Sequence, residues 1–264
     1  MANRVKIGVL NLMHDKLDTQ QRFARVLPDA DLTFFYPRMH YQNRPVPPEV
    51  AKTSQPLDLN QIKEFDGFII TGAPLDHLDF DQVTYIEEVR CLLQLLDKYK
   101  LQQLYFCWGA MAALDYFYNI QKRILSKKIF GVFPHLIIEP HPLLNGLSKG
   151  FIAPHARYAE MDKTQIMQDP RLTINSVDDN GHLFMVSSLE KPEQNFIFSH
   201  IEYGRKGLKK EYEREIAAHP ERHYKKPENY SLSNLLFQWK DTQKTFFNNW
   251  LTQVKKSKLV LLDK

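Results

Sequence analysis

The sequence predicts an α/β fold with a largely parallel sheet flanked by helices. Three observations predict it. Short runs of β-branched and aliphatic residues, such as "VKIGVLNL" (5–12), read as strands buried on both faces. Segments with apolar residues at helical spacing lie between them. No repeat or low-complexity stretch interrupts the alternation, which is the pattern of a layered α/β domain. The chain has 264 residues, 43% hydrophobic and 25% charged. A chain of that length buries roughly 70–75% of its unfolded surface and needs no disulfide or metal staple.

The elements follow in order. After the first strand, "LDTQQRFARVL" sets Phe23, Val26 and Leu27 at helical spacing. "LTFFY" (32–36) reads as a second strand. Residues 37–57 hold Pro37, Pro45, Pro47, Pro48 and Pro56, so they read as a long loop, a class often used as a lid or binding loop. "FDGFIITGAP" (65–74) is a strand ending in a glycine-containing turn. Residues 81–100 form a helix with Val83, Ile86, Val89, Leu92, Leu93 and Leu96 on its apolar side; Cys91 inside it reads as a small packing residue. "QLYF" is a strand and "WGAMAALDYF" a helix. "FIAPHARY" and "NFIFSHIEYG" read as later strands, "KGLKKEYEREIAAH" and "TQKTFFNNWLTQV" as the last helices. No linker divides the chain. One domain over 1–264 is expected, with a helical C-terminal extension from about 205.

The formal charge of +4, set against 31 acidic residues, does not by itself imply nucleic acid; it would also suit a substrate carrying phosphates. Two cysteines, Cys91 and Cys107, make no disulfide framework, which favours a reducing, cytoplasmic setting. The apolar run near the N-terminus is too short to span a membrane and lacks a signal-peptide cleavage site.

Cys107 stands at the corner between a strand and a helix, the geometry of a nucleophile elbow. A helix N-terminus carries a partial positive charge that suits an anionic sulfur. Its free N–H groups, that of Trp108 first, can serve an oxyanion. Gly109 and Ala110 let helix and sheet approach closely. The same spacing also fits a buried packing cysteine. A thiol nucleophile needs a base and an orienting group, and "FIFSHIEYG" offers His200 with Glu202 two residues on. In an extended segment these point to one side. With ten histidines in the chain, a His-x-Glu pair is cheap by chance; beside a cysteine elbow it is more specific.

The segments "NLM", "FDGFIITGAPLDHLDFDQVTY", "CWGAMAAL", "GVFPH", "APHARYAEM" and "SHIEYGRKGLKKEYEREI" resemble the homoserine O-acyltransferases of the transsuccinylase type, in the same order and from about Val5 to about Trp250. That resemblance implies the flavodoxin-like α/β fold of class I glutamine amidotransferases. It implies a ping-pong acyl transfer, with an acyl-coenzyme A donor, a hydroxy amino acid acceptor, no bound cofactor and no metal. Cys107 would carry the acyl group, His200 would act as base and acid, Glu202 would orient it, and Trp108 would serve the oxyanion hole. Lys128 matches a lysine used in the family's active site. Arg214, in "EYEREI", matches its substrate-binding arginine, and Arg157, in "PHARY", is expected near the same pocket. Asp76 stands where members carry either glycine or a carboxylate; a carboxylate repels a succinyl tail, so acetyl-coenzyme A is the expected donor rather than succinyl-coenzyme A. The resemblance further implies small-molecule partners only, without nucleic acid or membrane, and a homodimer.

Three departures from the family pattern stand out, and the last two bear on the acceptor rather than the chemistry. The sequence begins almost at the first strand, whereas longer members carry an arm ahead of it. Ala156 replaces the usual serine of "PHSRY", and His14 replaces the proline of "NLMPKK". Serine thereby joins homoserine as a candidate acceptor. Two other readings compete. A glutamine amidotransferase would share the Cys–His–Glu order but commonly has glycine where Tyr105 stands. A non-enzymatic member would typically have lost one of the three residues.

Overall fold

The computed structural model describes residues 4–262, with side chains to residue 259. Its centre is a ten-stranded sheet in the order β3-β2-β1-β4-β5-β10-β9-β8-β6-β7. The strands are β1 (Val5–Leu10), β2 (Ala30–Tyr36), β3 (Gln55–Pro56), β4 (Gly67–Ile70), β5 (Gln102–Phe106), β6 (Lys122–Ile137), β7 (Phe151–Met161), β8 (Leu172–Asp178), β9 (Leu183–Ser188) and β10 (Gln194–Ile197). Every pairing from β3 across to β10 is parallel; those from β10 to β7 are antiparallel. The parallel half agrees with the buried apolar runs. The antiparallel half was not legible as strands throughout. β6 opens with Lys122, Arg123, Lys127 and Lys128 and contains Pro134, so its apolar run (129–133) is interrupted on both sides, and much of its first half is exposed.

Helices α1 (Lys16–Val26), α2 (Pro48–Thr53), α3 (Ile86–Lys98), α4 (Trp108–Tyr118), α5 (Lys163–Gln168), α6 (Gly207–Ala218) and α7 (Lys240–Leu262) complete the chain. Two apolar clusters form the main core. One packs α3 and α4 against the sheet through Leu92, Leu96, Met111 and Tyr105. The other joins α1 and α7 through Phe23, Phe246, Phe247 and Trp250. The C-terminal helix, read from the sequence as an extension, is therefore packed into the core.

Three local expectations change. The helix expected from residue 81 begins at Ile86. Asp79 and Gln82 close a capping box around a separate 3₁₀ turn, after which Val83 is extended yet still buried. Cys91 faces solvent rather than packing, because the apolar stripe of α3 runs through Val89, Leu92, Leu93 and Leu96. The proline-rich loop is partly ordered: it carries α2 and an edge strand in which Gln55 pairs with Phe35.

Candidate active site

The corner between β5 and α4 is as sharp as the sequence requires. Cys107 has φ 46° and ψ −113°, outside the regions ordinary residues adopt. A side chain held in such a conformation costs about 1–3 kcal/mol, and such strain clusters at functional sites. The corner is fixed on both sides: its N–H donates to the Ile197 carbonyl at 2.7 Å, and its carbonyl accepts from Met111 N–H at 3.0 Å. Gly109 is there for space. A Cβ at that position would lie 2.7 Å from the Thr71 carbonyl oxygen and 2.8 Å from that of Ile70. Gly72, the turn glycine of "FDGFIITGAP", was not read as a site residue from the sequence. A Cβ there would stand 3.2 Å from Cys107 Cβ and 3.3 Å from His200 Cε1, so this turn lies directly against both residues.

His200 lies just past β10. Its Nδ1 is 2.8 Å from Oε1 of Glu202. The pair forms as expected but by another route. The segment is a turn, closed by Tyr203 N–H donating to the His200 carbonyl at 2.9 Å, rather than an extended strand. The imidazole stacks on Tyr203, centroids 4.5 Å apart, and the Arg22 guanidinium covers that ring at 4.1 Å. The Tyr203 carbonyl accepts from Trp239 Nε1 at 2.8 Å, so the segment before α7 braces the turn. Burial works against a charged imidazole, but the charges of Glu202 and Cys107 outweigh it and raise the pKa of His200 to about 10.

Cys107 and His200 open into a cavity of about 390 Å³, at the low end of small-molecule sites. Asp76, Lys128, Ala156 and Arg214 line it, so the structure brings these candidates together. Lys128 is not a solvated surface lysine. Its ammonium lies 2.7 Å from Glu215 and 3.2 Å from Glu211, with the Phe130 ring 4.3 Å away. A register shift between β6 and β7 before Ile129 releases this stretch from the ladder; irregularities of this kind re-aim side chains. Burial opposes the charge of Glu211, yet Lys128 and Arg214 hold its carboxyl below the usual range. Arg214 bonds Glu211 and also stands 3.0 Å from Nδ1 of His14. Burial, opposed by His200, Lys122 and Lys128, raises the Asp76 carboxyl. Its Oδ1 has no hydrogen-bond partner among the described residues.

Arg157 does not join them. It is fully buried, bonded to Glu160 at 2.9 Å and to the carbonyls of Phe198 and Leu183 at 3.1 and 3.0 Å, and it is absent from the cavity wall. Neighbouring strand residues face opposite ways; Ala156 takes the cavity side. Glu211 and Glu215 went unread in the sequence, although their spacing of four along α6, with Arg214 between, places them on one helix face. Among the described residues no cluster suits a metal ion.

The family model for homoserine O-succinyltransferase matches residues 2–258. A Lactobacillus acidophilus protein named serine O-acetyltransferase is 76% identical, covering 99% of this chain and 100% of its own. A Lacticaseibacillus casei protein of the same name is 51% identical over 95% of each chain. A Bacillus subtilis homoserine O-acetyltransferase is 31% identical, covering 93% of this chain and 84% of its own. Among solved structures, a Thermotoga maritima glutamine amidotransferase superposes with a TM-score of 0.66 at 10% identity, covering 97% of this chain and 98% of its own, and so shares the fold alone.

Proposed function

Since the chain belongs to the homoserine O-succinyltransferase family, we propose that it moves an acetyl group from acetyl-coenzyme A to the hydroxyl of L-serine through an acyl-Cys107 intermediate. The observation that carries the mechanism is Cys107 at a strained elbow, sharing one cavity with His200, whose Nδ1 is held by Glu202.

The residues divide the work as follows. The Cys107 sulfur attacks the thioester carbon as an anion, with His200 as imidazolium. The developing oxyanion meets the Trp108 N–H at the start of α4. As the tetrahedral species collapses, the bond to the coenzyme A sulfur breaks and His200 gives that sulfur its proton. The acylated cysteine no longer carries a charge. One of the two groups that raise His200 is thereby removed, and the ring is left neutral, ready to act as a base. The acceptor hydroxyl then attacks the thioester, His200 takes its proton, and the carbon–sulfur bond to Cys107 breaks. Arg214 grips the acceptor carboxylate, and a guanidinium does this with two hydrogen bonds. The single chain would act as one acyltransferase domain, paired as a homodimer.

Donor and acceptor follow from two walls of the cavity. Asp76 presents a carboxylate where a succinyl tail would bring another. At a partly buried surface two such charges about 4 Å apart repel by about 4 kcal/mol, which favours the uncharged acetyl group. At the other wall Ala156 lacks a hydroxyl, and His14 occupies space against Arg214. His14 held against Arg214 leaves less length on the acceptor side, which suits serine, one methylene smaller than homoserine, and relatives at 76% and 51% identity carry the serine name. Rates with L-serine and L-homoserine, measured side by side with acetyl-coenzyme A, test this. Serine should be preferred by roughly tenfold or more, the worth of one methylene in a fitted pocket. A preference for homoserine would overturn the acceptor assignment and leave the Cys107 chemistry standing.

A further inference from the structure

A second cavity, of about 310 Å³, adjoins the catalytic one. Met13, His14 and Pro74 line both. In the turn after β4, consecutive residues divide between them: Leu75 lines the second cavity and Asp76 the first. The far walls of the second are apolar and aromatic, with Tyr41, Leu78 and Tyr85. Lys16 lines it too. Its ammonium donates to the carbonyls of Asn11 and Met13, each at 2.6 Å, and pairs with no carboxylate among the described residues. Burial alone pulls its pKa down to about 8.

Resting on the acyl-coenzyme A reading above, we infer that this second cavity holds the pantetheine arm of the donor. The thioester must sit at Cys107, with its acyl end toward Asp76. The acceptor needs the side of Arg214 and Ala156. The rest of the donor must leave by a third direction, and the cavity that shares Met13, His14 and Pro74 with the catalytic one lies on that side, beside Leu75. The arm is a chain of two amides and a dimethyl carbon that ends in phosphate. Apolar walls suit the dimethyl carbon. A buried cation whose only bonds are to carbonyl oxygens suits an amide oxygen or the phosphate beyond it.

Two donors separate this from a general disturbance of the site. Acetyl-coenzyme A carries the whole arm; S-acetyl-N-acetylcysteamine carries only the end next to the sulfur. Leu78→Trp and Thr84→Trp each put a large ring into the cavity from exposed positions, where folding is least at risk. Either substitution should lower kcat/KM for acetyl-coenzyme A, relative to the short thioester, by roughly tenfold or more, a difference of about 1.4 kcal/mol in binding. Equal losses for both donors, or no loss in either variant, would overturn the assignment. A wild-type protein that accepts acetyl from the short thioester, yet shows no saturation by acetyl-coenzyme A, would overturn it while leaving the acyl transfer through Cys107 intact. Acetylation from neither donor would overturn both.

Discussion

Nδ1 of His200 stands 2.8 Å from Oε1 of Glu202, while Oε2 of the same carboxylate finds no partner among the described residues. The carboxylate is thus committed to the imidazole. With Cys107 it raises the histidine to about 10, against the pull of burial.

This makes the histidine a source of pH-dependent stability with a definite sign. Its folded pKa lies above the ordinary value of about 6.5, so the folded state holds a proton that the unfolded state releases. The contribution is fully present below about 6.5 and is lost as pH rises through about 10. Melting temperature should fall over that range more steeply in the wild type than in His200→Asn. Parallel curves would contradict the ion pair. In activity, His200→Ala should lower turnover by about 10²–10⁴-fold, the usual worth of a general base, and Glu202→Gln by less.

Lys128 lies between two carboxylates, with its side chain 10% exposed and those of Glu211 and Glu215 11% and 13%. Lys128→Met leaves Glu215 without a cation and Glu211 with Arg214 alone. Breaking a buried pair in this way costs about 3–5 kcal/mol. The urea midpoint should drop accordingly, and Lys128→Arg should recover most of it. A Lys128→Met midpoint equal to that of the wild type would show that the lysine is solvated after all.

Asp76 lines the catalytic cavity with one oxygen unbonded and its carboxyl raised by burial. Asp76→Gly removes the charge and the bulk together. The variant should use succinyl-coenzyme A at least tenfold better, relative to acetyl-coenzyme A, than the wild type does; tenfold corresponds to about 1.4 kcal/mol. An unchanged donor ratio would remove Asp76 as the determinant.

The parallel half of the sheet, apart from the exposed two-residue β3 inside the proline-rich loop, was readable because its strands are short, largely apolar and mostly buried. The elbow was readable for a related reason: a strand of "QLYF" meets a helix of small and apolar residues, and Cys107 is the residue between them. The antiparallel half hid behind its own chemistry. The exposed start of β6 mixes Arg123, Ser126 and Lys127 with Ile124, and its irregular register before Ile129, which carries Lys128 to the cavity, follows no period of two. Arg157 shows the opposite failure. Its place beside Ala156 looked like a site position, but the pleat turns it inward to Glu160. Gly72 read only as a turn glycine, since its importance lies in what stands 3.2 Å away rather than in its neighbours along the chain.

The central claim is that Cys107 carries the acyl group. Incubating the protein with acetyl-coenzyme A, without acceptor, and measuring intact mass followed by peptide mapping tests it most directly. One acetyl group should appear on the peptide containing Cys107, leave on adding L-serine, and do neither in Cys107→Ala. Acetyl found on another residue, or full turnover by Cys107→Ala, would contradict it.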